Sequence, residues 1–231
     1  LRAIFEPTLM NAEVGASIVV KNDSFHHLVN VVRVKKTESV KIFNGKGLEV
    51  LCGISSIEKK QLTLVAHEVQ VHQKPKLGID VLIGTPKKEA LEQCLKAVVE
   101  LGIGELYLAE TEYAQKNTIN PERQMSLLTS SIEQSNNPFF PVIHEIKSQE
   151  IDLSVYEQVV LFDSVNTGTE NFKVGTNKVL IVVGPEGGFS ESELNWWKSH
   201  PQTTTVHLPT AIMRTPTALS CGIGFTLGKL S

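Results

Sequence analysis

The chain has 231 residues, of which 41% are hydrophobic and 20% charged, so it can bury a substantial core and general disorder is excluded. Its 22 basic and 25 acidic residues leave a net charge of −3, which rules out a polycation, but the charge is uneven. Residues 1–72 carry nine Lys/Arg against seven Asp/Glu, and residues 21–60 carry eight against four. A mildly basic N-terminal module joined to an acidic one suits a polyanionic partner at the N-terminal end, or a plain solvated surface. Cys52, Cys94 and Cys221 are odd in number, scattered and free of any CxxC pair, which excludes a disulfide scaffold or zinc ribbon and predicts a reducing cytoplasm. The first residues lack a basic-then-apolar signal pattern, and no uncharged apolar run reaches the roughly 18–20 residues of a membrane span.

In chain order, residues 2–6, 17–20, 39–43, 48–54 and 62–71 alternate or run apolar as short strands. Asn44-Gly45 marks a hairpin between two of them, because both residues tolerate positive φ. One helix interrupts the strands, with Asp23 or Ser24 as its cap and Leu28, Val31 and Val32 as its apolar stripe. Short strands and tight turns at this density predict a small barrel over residues 1–72. Residues 72–76, polar and broken by Pro75, read as a linker.

Residues 73–231 alternate strand and helix. A buried strand is predicted at 79–84. A helix at 87–101 follows, with Leu91, Cys94, Leu95 and Val98 on its inner face and a Glu92–Lys96 pair outside. Gly102 ends it, and a strand follows at 103–109. A second helix spans 121–135 with Met125, Leu128 and Ile132 inward, and further strands fall at 159–162, 179–183 and 204–208. Ser190 and Glu193 form a capping box ahead of the helix that holds Trp196 and Trp197. The alternation predicts an α/β domain with a mostly parallel sheet covered on both faces.

Nucleophile-elbow, HExxH and phosphate-loop signatures are missing, and the seven histidines show no metal-ligand spacing, so no metal is expected. Two segments stand out. Residues 180–190 run from a buried strand through Gly184-Pro185-Glu186-Gly187-Gly188 into a capped helix. Ligands of open α/β sheets lie beyond the carboxyl ends of strands, where such turns sit. The glycines let backbone approach a ligand, and the charge of Glu186 disfavours a phosphate and suits a cationic or neutral ligand. Residues 208–218 again join a strand to a helix, with Thr215 as the expected cap, Pro216 at the first helical position and Arg214 just before them. The helix over 217–228 has no charged residue and three glycines, which fits either a core helix or a subunit interface.

Gly184-Pro-Glu-Gly-Gly-Phe-Ser190, followed by Leu208 and by Ile212-Met-Arg-Thr-x-Thr-Ala218, resembles the RsmE family, the small-subunit ribosomal RNA uridine-N3 methyltransferases of the SPOUT superfamily. His27-Leu28, Val31-Val32-Arg33, Phe43–Gly47, Glu100-Leu101-Gly102 and Glu133-Gln134-Ser135 extend the match in order along nearly the whole chain. The resemblance implies a PUA-like RNA-binding barrel over 1–72 and a trefoil-knotted SPOUT methyltransferase domain over 73–231. It also implies a homodimer in the cytoplasm, acting on ribosomal RNA or the small ribosomal subunit. S-adenosylmethionine is the implied cofactor, held by Val183, Gly184, Pro185, Glu186, Gly187, Gly188, Leu208, Ile212, Met213, Thr215 and Thr217. Arg214 is the expected catalytic residue, and Arg33, Lys35 and Lys36, with Lys41 and Lys46 nearby, are the expected RNA contacts. The chain departs from the family pattern at Ala97, Asn137, Pro209, Ala211 and Pro216, where charged residues or glycine are usual. Methylation of another RNA position, or RNA binding without turnover, are the alternative readings.

Overall fold

The structure, a computed structural model, describes residues 2–74, 78–116, 119–164, 173–175 and 177–229, so part of the expected linker at 72–76 lies outside the described residues. The chain forms two compact units, Leu1–Lys74 with Leu128–Phe140, and Pro75–Leu127 with Pro141–Ser231.

The first unit holds β1 (Arg2–Phe5), β2 (Ser17–Val20), β3 (Ser39–Phe43), β4 (Leu48–Ile57) and β5 (Leu62–Val71), in the order β1-β3-β4-β5-β2. β1 pairs parallel with β3 and the other pairings are antiparallel. The two-residue period places Leu48, Val50, Cys52 and Ile54 of β4 and Leu62, Leu64 and Ala66 of β5 in one core. The expected barrel is thus a five-stranded sheet, with no pairing between β1 and β2 among the described residues. At the β3–β4 connection positive φ falls on Gly45 (74°) and Gly47 (101°). Asn44 contributes through its side chain instead, its Oδ1 accepting from Lys46 N at 2.8 Å and Leu48 N at 3.0 Å.

The helix of this unit differs from the expectation. α1 (Asn22–His26) starts two to three residues earlier, capped by extended Lys21 without a side-chain acceptor, and passes into a π-helical turn over His27–Val31. Val32 N bonds to His27 O at 2.8 Å, five residues back, and this wider turn rotates the stripe. Phe25 and Leu28 reach the core, whereas Val31 is 61% exposed.

Residues 128–140 also belong to this unit, although they follow two strands of the other. Glu133 Oε1 accepts from Phe5 N at 3.1 Å, and the Phe140 ring lies 4.7 Å from that of Phe5.

The second unit is built on six parallel strands. These are β6 (Ile79–Gly84), β7 (Glu105–Glu110), β8 (Val142–Lys147), β9 (Gln158–Phe162), β10 (Val179–Val183) and β11 (Thr203–Val206), ordered β11-β9-β10-β6-β7-β8. β6 and β10 are central and buried at every position, which is why they read as unbroken apolar runs. β8 was not anticipated; its sequence Val-Ile-His-Glu-Ile-Lys is that of a half-exposed edge strand.

α2 (Lys88–Glu100) buries Leu91, Cys94, Leu95, Val98 and Val99. Glu92 pairs not with Lys96 but with Arg123, whose fork meets both carboxylate oxygens at 3.1 and 2.6 Å. α3 (Pro121–Ser135) has the expected span, but Met125 is 51% exposed, and Leu127, Leu128 and Ile132 are the buried residues. α4 (Glu191–Lys198) carries the expected capping box, with both arms formed. α5 (Thr215–Leu227) is capped at Arg214, so Thr215 opens the helix instead of capping it.

Candidate cofactor site

β10 delivers the chain into the glycine turn at its carboxyl end. Gly188 N returns to Pro185 O at 2.9 Å with Gly188 at φ 74°, a conformation L side chains rarely adopt. A Cβ on Gly187 would stand 2.8 Å from Tyr113 Cβ, so glycine here lets the loop after β7 close on the turn. Glu193 locks the same region. Its Oε2 accepts from Ser190 N and its Oε1 from Glu112 N, both at 2.9 Å. Glu186 turns toward the start of α2, where its Oε1 accepts from Lys87 N at 3.2 Å and supplies an acceptor that the helix lacks at its own cap.

The segment after β11 closes the other side. Thr215, 2% exposed, donates its hydroxyl to Gly184 O at 3.3 Å, joining the start of α5 to the residue after β10. Between the two loops lies a cavity of about 400 Å³. Val183, Gly184, Pro185, Glu186, Gly187 and Gly188 line it from the first loop, and Leu208, Ile212 and Met213 from the second. Thr215 and Thr217 are not among the lining residues; Thr217 lies on the exposed side of α5. Arg214 is exposed at the cap of α5, and among the described residues it makes no ion pair with Glu186 or any other carboxylate.

Sequence reading missed the third wall. Phe162, Asp163 and Ser164 at the end of β9 line the cavity, as does His207 after β11. The Asp163 carboxylate is nearly buried and pairs with Lys198 Nζ at 3.4 Å. The strand-end rule that selected the glycine turn would have selected these residues, had β9 been placed beside β10.

The residues expected to meet RNA lie on the first unit. Arg33, at φ 57°, Lys35, Lys36 and Lys46 are exposed. Lys41 is engaged instead, in an ion pair with Glu49, to which His72 Nε2 also comes within 2.8 Å. Burial raises the Glu49 carboxyl, but the hydrogen bonds and charges of Lys41 and His72 outweigh it and leave it below the usual carboxylate value. Among the described residues no cluster of three His, Cys, Asp or Glu could hold a metal, and no helix is long and apolar enough to cross a membrane.

A parallel α/β unit with a glycine-turn cavity at its strand ends, preceded by a small sheet unit, defines a class of two-module proteins with a ligand site in the second module. A family model described as the RNA methyltransferase domain matches residues 72–224, and one described as the RNA methyltransferase PUA domain matches residues 20–66. The chain belongs to this RNA methyltransferase family. It is 26% identical over 199 residues to the ribosomal RNA small subunit methyltransferase E of Rickettsia conorii, covering 84% of this chain and 82% of that protein. It is also 26% identical over 233 residues to ribosomal RNA small subunit methyltransferase E 2 of Borreliella burgdorferi, covering 93% of each. The crystal structure of a ribosomal RNA small subunit methyltransferase E from Neisseria gonorrhoeae bound to S-adenosylmethionine matches with a TM-score of 0.83 at 19% identity, over 100% of this chain and 98% of that one. That likeness establishes the fold.

Proposed function

We propose that the protein transfers a methyl group from S-adenosylmethionine to N3 of a uridine in small-subunit ribosomal RNA. The observation that carries this reading is the cavity between the loops after β10 and β11, with Arg214, the only charged residue between Lys198 and Lys229, next in the chain to the lining residue Met213. The site fits the cofactor. Its volume of about 400 Å³ is in the range of small-molecule sites. Ile212 lines it while 89% exposed, as expected of a side chain that a bound ligand would cover. When bound, S-adenosylmethionine supplies an electrophilic methyl group on a sulfonium.

The chain's own residues supply alignment and charge. The glycine turn offers backbone groups, and Leu208, Ile212 and Met213 offer apolar contact. N3 of uridine becomes a nucleophile as its proton passes to solvent water and charge moves to O2 and O4; a guanidinium can donate to those oxygens as the charge develops, and as the N3–carbon bond forms the carbon–sulfur bond breaks with its electron pair left on sulfur. Because N3 is on the pairing edge, the base must be unpaired to reach the methyl group. The relatives named for small-subunit ribosomal RNA, and the exposed Arg33, Lys35 and Lys36, support the choice of substrate.

The same reading includes a homodimer and a cytoplasmic location beside the ribosome. In support, α5 exposes Thr217, Ser220, Cys221, Gly224 and Leu227 on a face with no charged residue. A trefoil knot around the cavity also belongs to it, supported by β11 lying outside β9 while the following segment returns to β10 through Thr215. The test is mass spectrometry of small-subunit rRNA nucleosides from cells with and without the gene. Loss of N3-methyluridine on deletion, restored by the gene, is expected. Loss of a ribose-methylated nucleoside instead would reassign the target, and an unchanged profile would refute the reading.

A further inference from the structure

We propose that Tyr113 is a stacking platform for a base of the bound RNA, beside the cavity that holds the cofactor; this rests on the RNA methyltransferase reading above. Tyr113 is 46% exposed, a large aromatic ring on the surface of the second unit. The backbone of its neighbours is nonetheless fixed by three hydrogen bonds. Glu112 N is held by Glu193 Oε1 at 2.9 Å, Ala114 N bonds to Thr111 O at 3.1 Å, and Gln115 N bonds to Thr85 O at 2.8 Å, just beyond β6. The root of the side chain presses on the glycine turn, with its Cβ and Cγ 2.8 and 3.3 Å from where a Gly187 Cβ would be. Gly187 itself lines the cavity.

An exposed aromatic on a rigid loop presents its face without the entropic cost of ordering it, which is what stacking of an unpaired base uses. The surrounding charge selects the base over the backbone. The carboxylate of Glu112, by its charge and by a hydrogen bond from the phenol, and more weakly the charge of Glu193, raise the Tyr113 phenol above its ordinary value and would repel a phosphate. The uncharged face of a base meets no such penalty. Tyr113 therefore acts on placement of the RNA and not on the transfer step.

The test combines kinetics with a cross-link. Small ribosomal subunits from cells lacking the gene serve as substrate for the parent, Tyr113→Ala and Tyr113→Phe, and S-adenosylmethionine affinity is measured by calorimetry. Stacking is worth about 1–3 kcal/mol per base, so Tyr113→Ala is expected to raise KM for the subunits about 5- to 150-fold with cofactor affinity unchanged, and Tyr113→Phe to recover the parental KM. Separately, small-subunit rRNA transcribed with 5-iodouridine is irradiated with the parent protein, and a cross-link at Tyr113 is expected. A parental KM in Tyr113→Ala, a matching loss of cofactor affinity, or cross-links only elsewhere would each overturn the platform. A parent that transfers no methyl group to the subunits refutes the proposed function instead, and the cross-link still decides the role of Tyr113.

Discussion

Thr215 donates its hydroxyl to the carbonyl of Gly184 across 3.3 Å, joining two residues separated by 31 positions in the chain. One opens α5 and the other opens the glycine turn, so both loops that face the cavity are referenced to a single bond. Thr215 is 2% exposed, so the donor side of the bond is buried, while Gly184 is half-buried on the cavity wall.

Replacing Thr215 with Val keeps the shape and removes the donor. The expected cost is about 0.5–1.5 kcal/mol, the net value of one hydrogen bond, because the half-buried Gly184 carbonyl loses its partner. Thermal unfolding measures the cost, and calorimetry should show weaker S-adenosylmethionine binding, since the turn loses its anchor. Thr215→Ser should recover most of both. Unchanged cofactor affinity in a destabilised Thr215→Val would confine the bond to stability.

The fold of the second unit was largely legible because its signals are local. β6 and β10 are unbroken apolar runs, Ser190 and Glu193 are a capping box in the sequence itself, and Gly102 stops α2 at φ 71°. What stayed hidden depends on distant partners. The acceptor that Glu186 gives to Lys87 N, 99 positions away, and the grip of Glu193 on Glu112 N, 81 away, have no trace in residue spacing. The wall of Phe162 and Asp163 was missed because strand order decides which loops are neighbours. The π-helical turn at His27–Val31 was missed because its extra residue breaks the 3.6-residue period.

The dimer proposal predicts that a charge on the outer face of α5 separates subunits without unfolding them. Gly224 is suited to this, because a Cβ there meets nothing within 4 Å, whereas Ile223 is fully buried and Gly222 lies against the Phe162 ring. Glu is also a better helix former than Gly by roughly 0.5–1 kcal/mol. Sedimentation at micromolar concentration should show a dimeric parent and a monomeric Gly224→Glu with an intact fold. A monomeric parent would end the proposal.

RNA held through Arg33 and Lys36 should respond to salt. Reversing both to Glu is expected to weaken binding of small-subunit rRNA fragments and flatten the dependence of log affinity on log salt by roughly 1.4–1.8, the contribution of two phosphate contacts. Filter binding over a salt series measures this. An unchanged slope would make the patch a solvated surface.

Glu133 gives a pH signature. Burial raises its carboxyl above the ordinary value, against the lowering effects of the Phe5 N–H and the charge of His27. A raised folded-state value means that the contribution to stability is fully present below the unfolded value and is lost as pH rises through the folded one. Glu133→Gln keeps an acceptor for Phe5 N and carries no charge. Its unfolding midpoint should therefore exceed the parent's at about pH 8 and approach it near about pH 4, below the ordinary glutamate value. A constant offset across that range would show that ionisation of Glu133 is not linked to folding.

Arg214 can be removed without disturbing the fold. The residue caps α5 without a side-chain hydrogen bond and is exposed, so its removal leaves no buried partner unsatisfied. Arg214→Ala should therefore fold normally and bind S-adenosylmethionine with near-parental affinity. Methyl transfer should fall by about 10²–10³, the scale of losing one donor to a developing charge. Arg214→Lys retains the charge but not the fork of donors, and should lie between the two. Single-turnover transfer to small-subunit rRNA separates this loss from weaker binding. The outcome that would remove Arg214 from the chemistry is a parental single-turnover rate in Arg214→Ala at saturating cofactor and RNA.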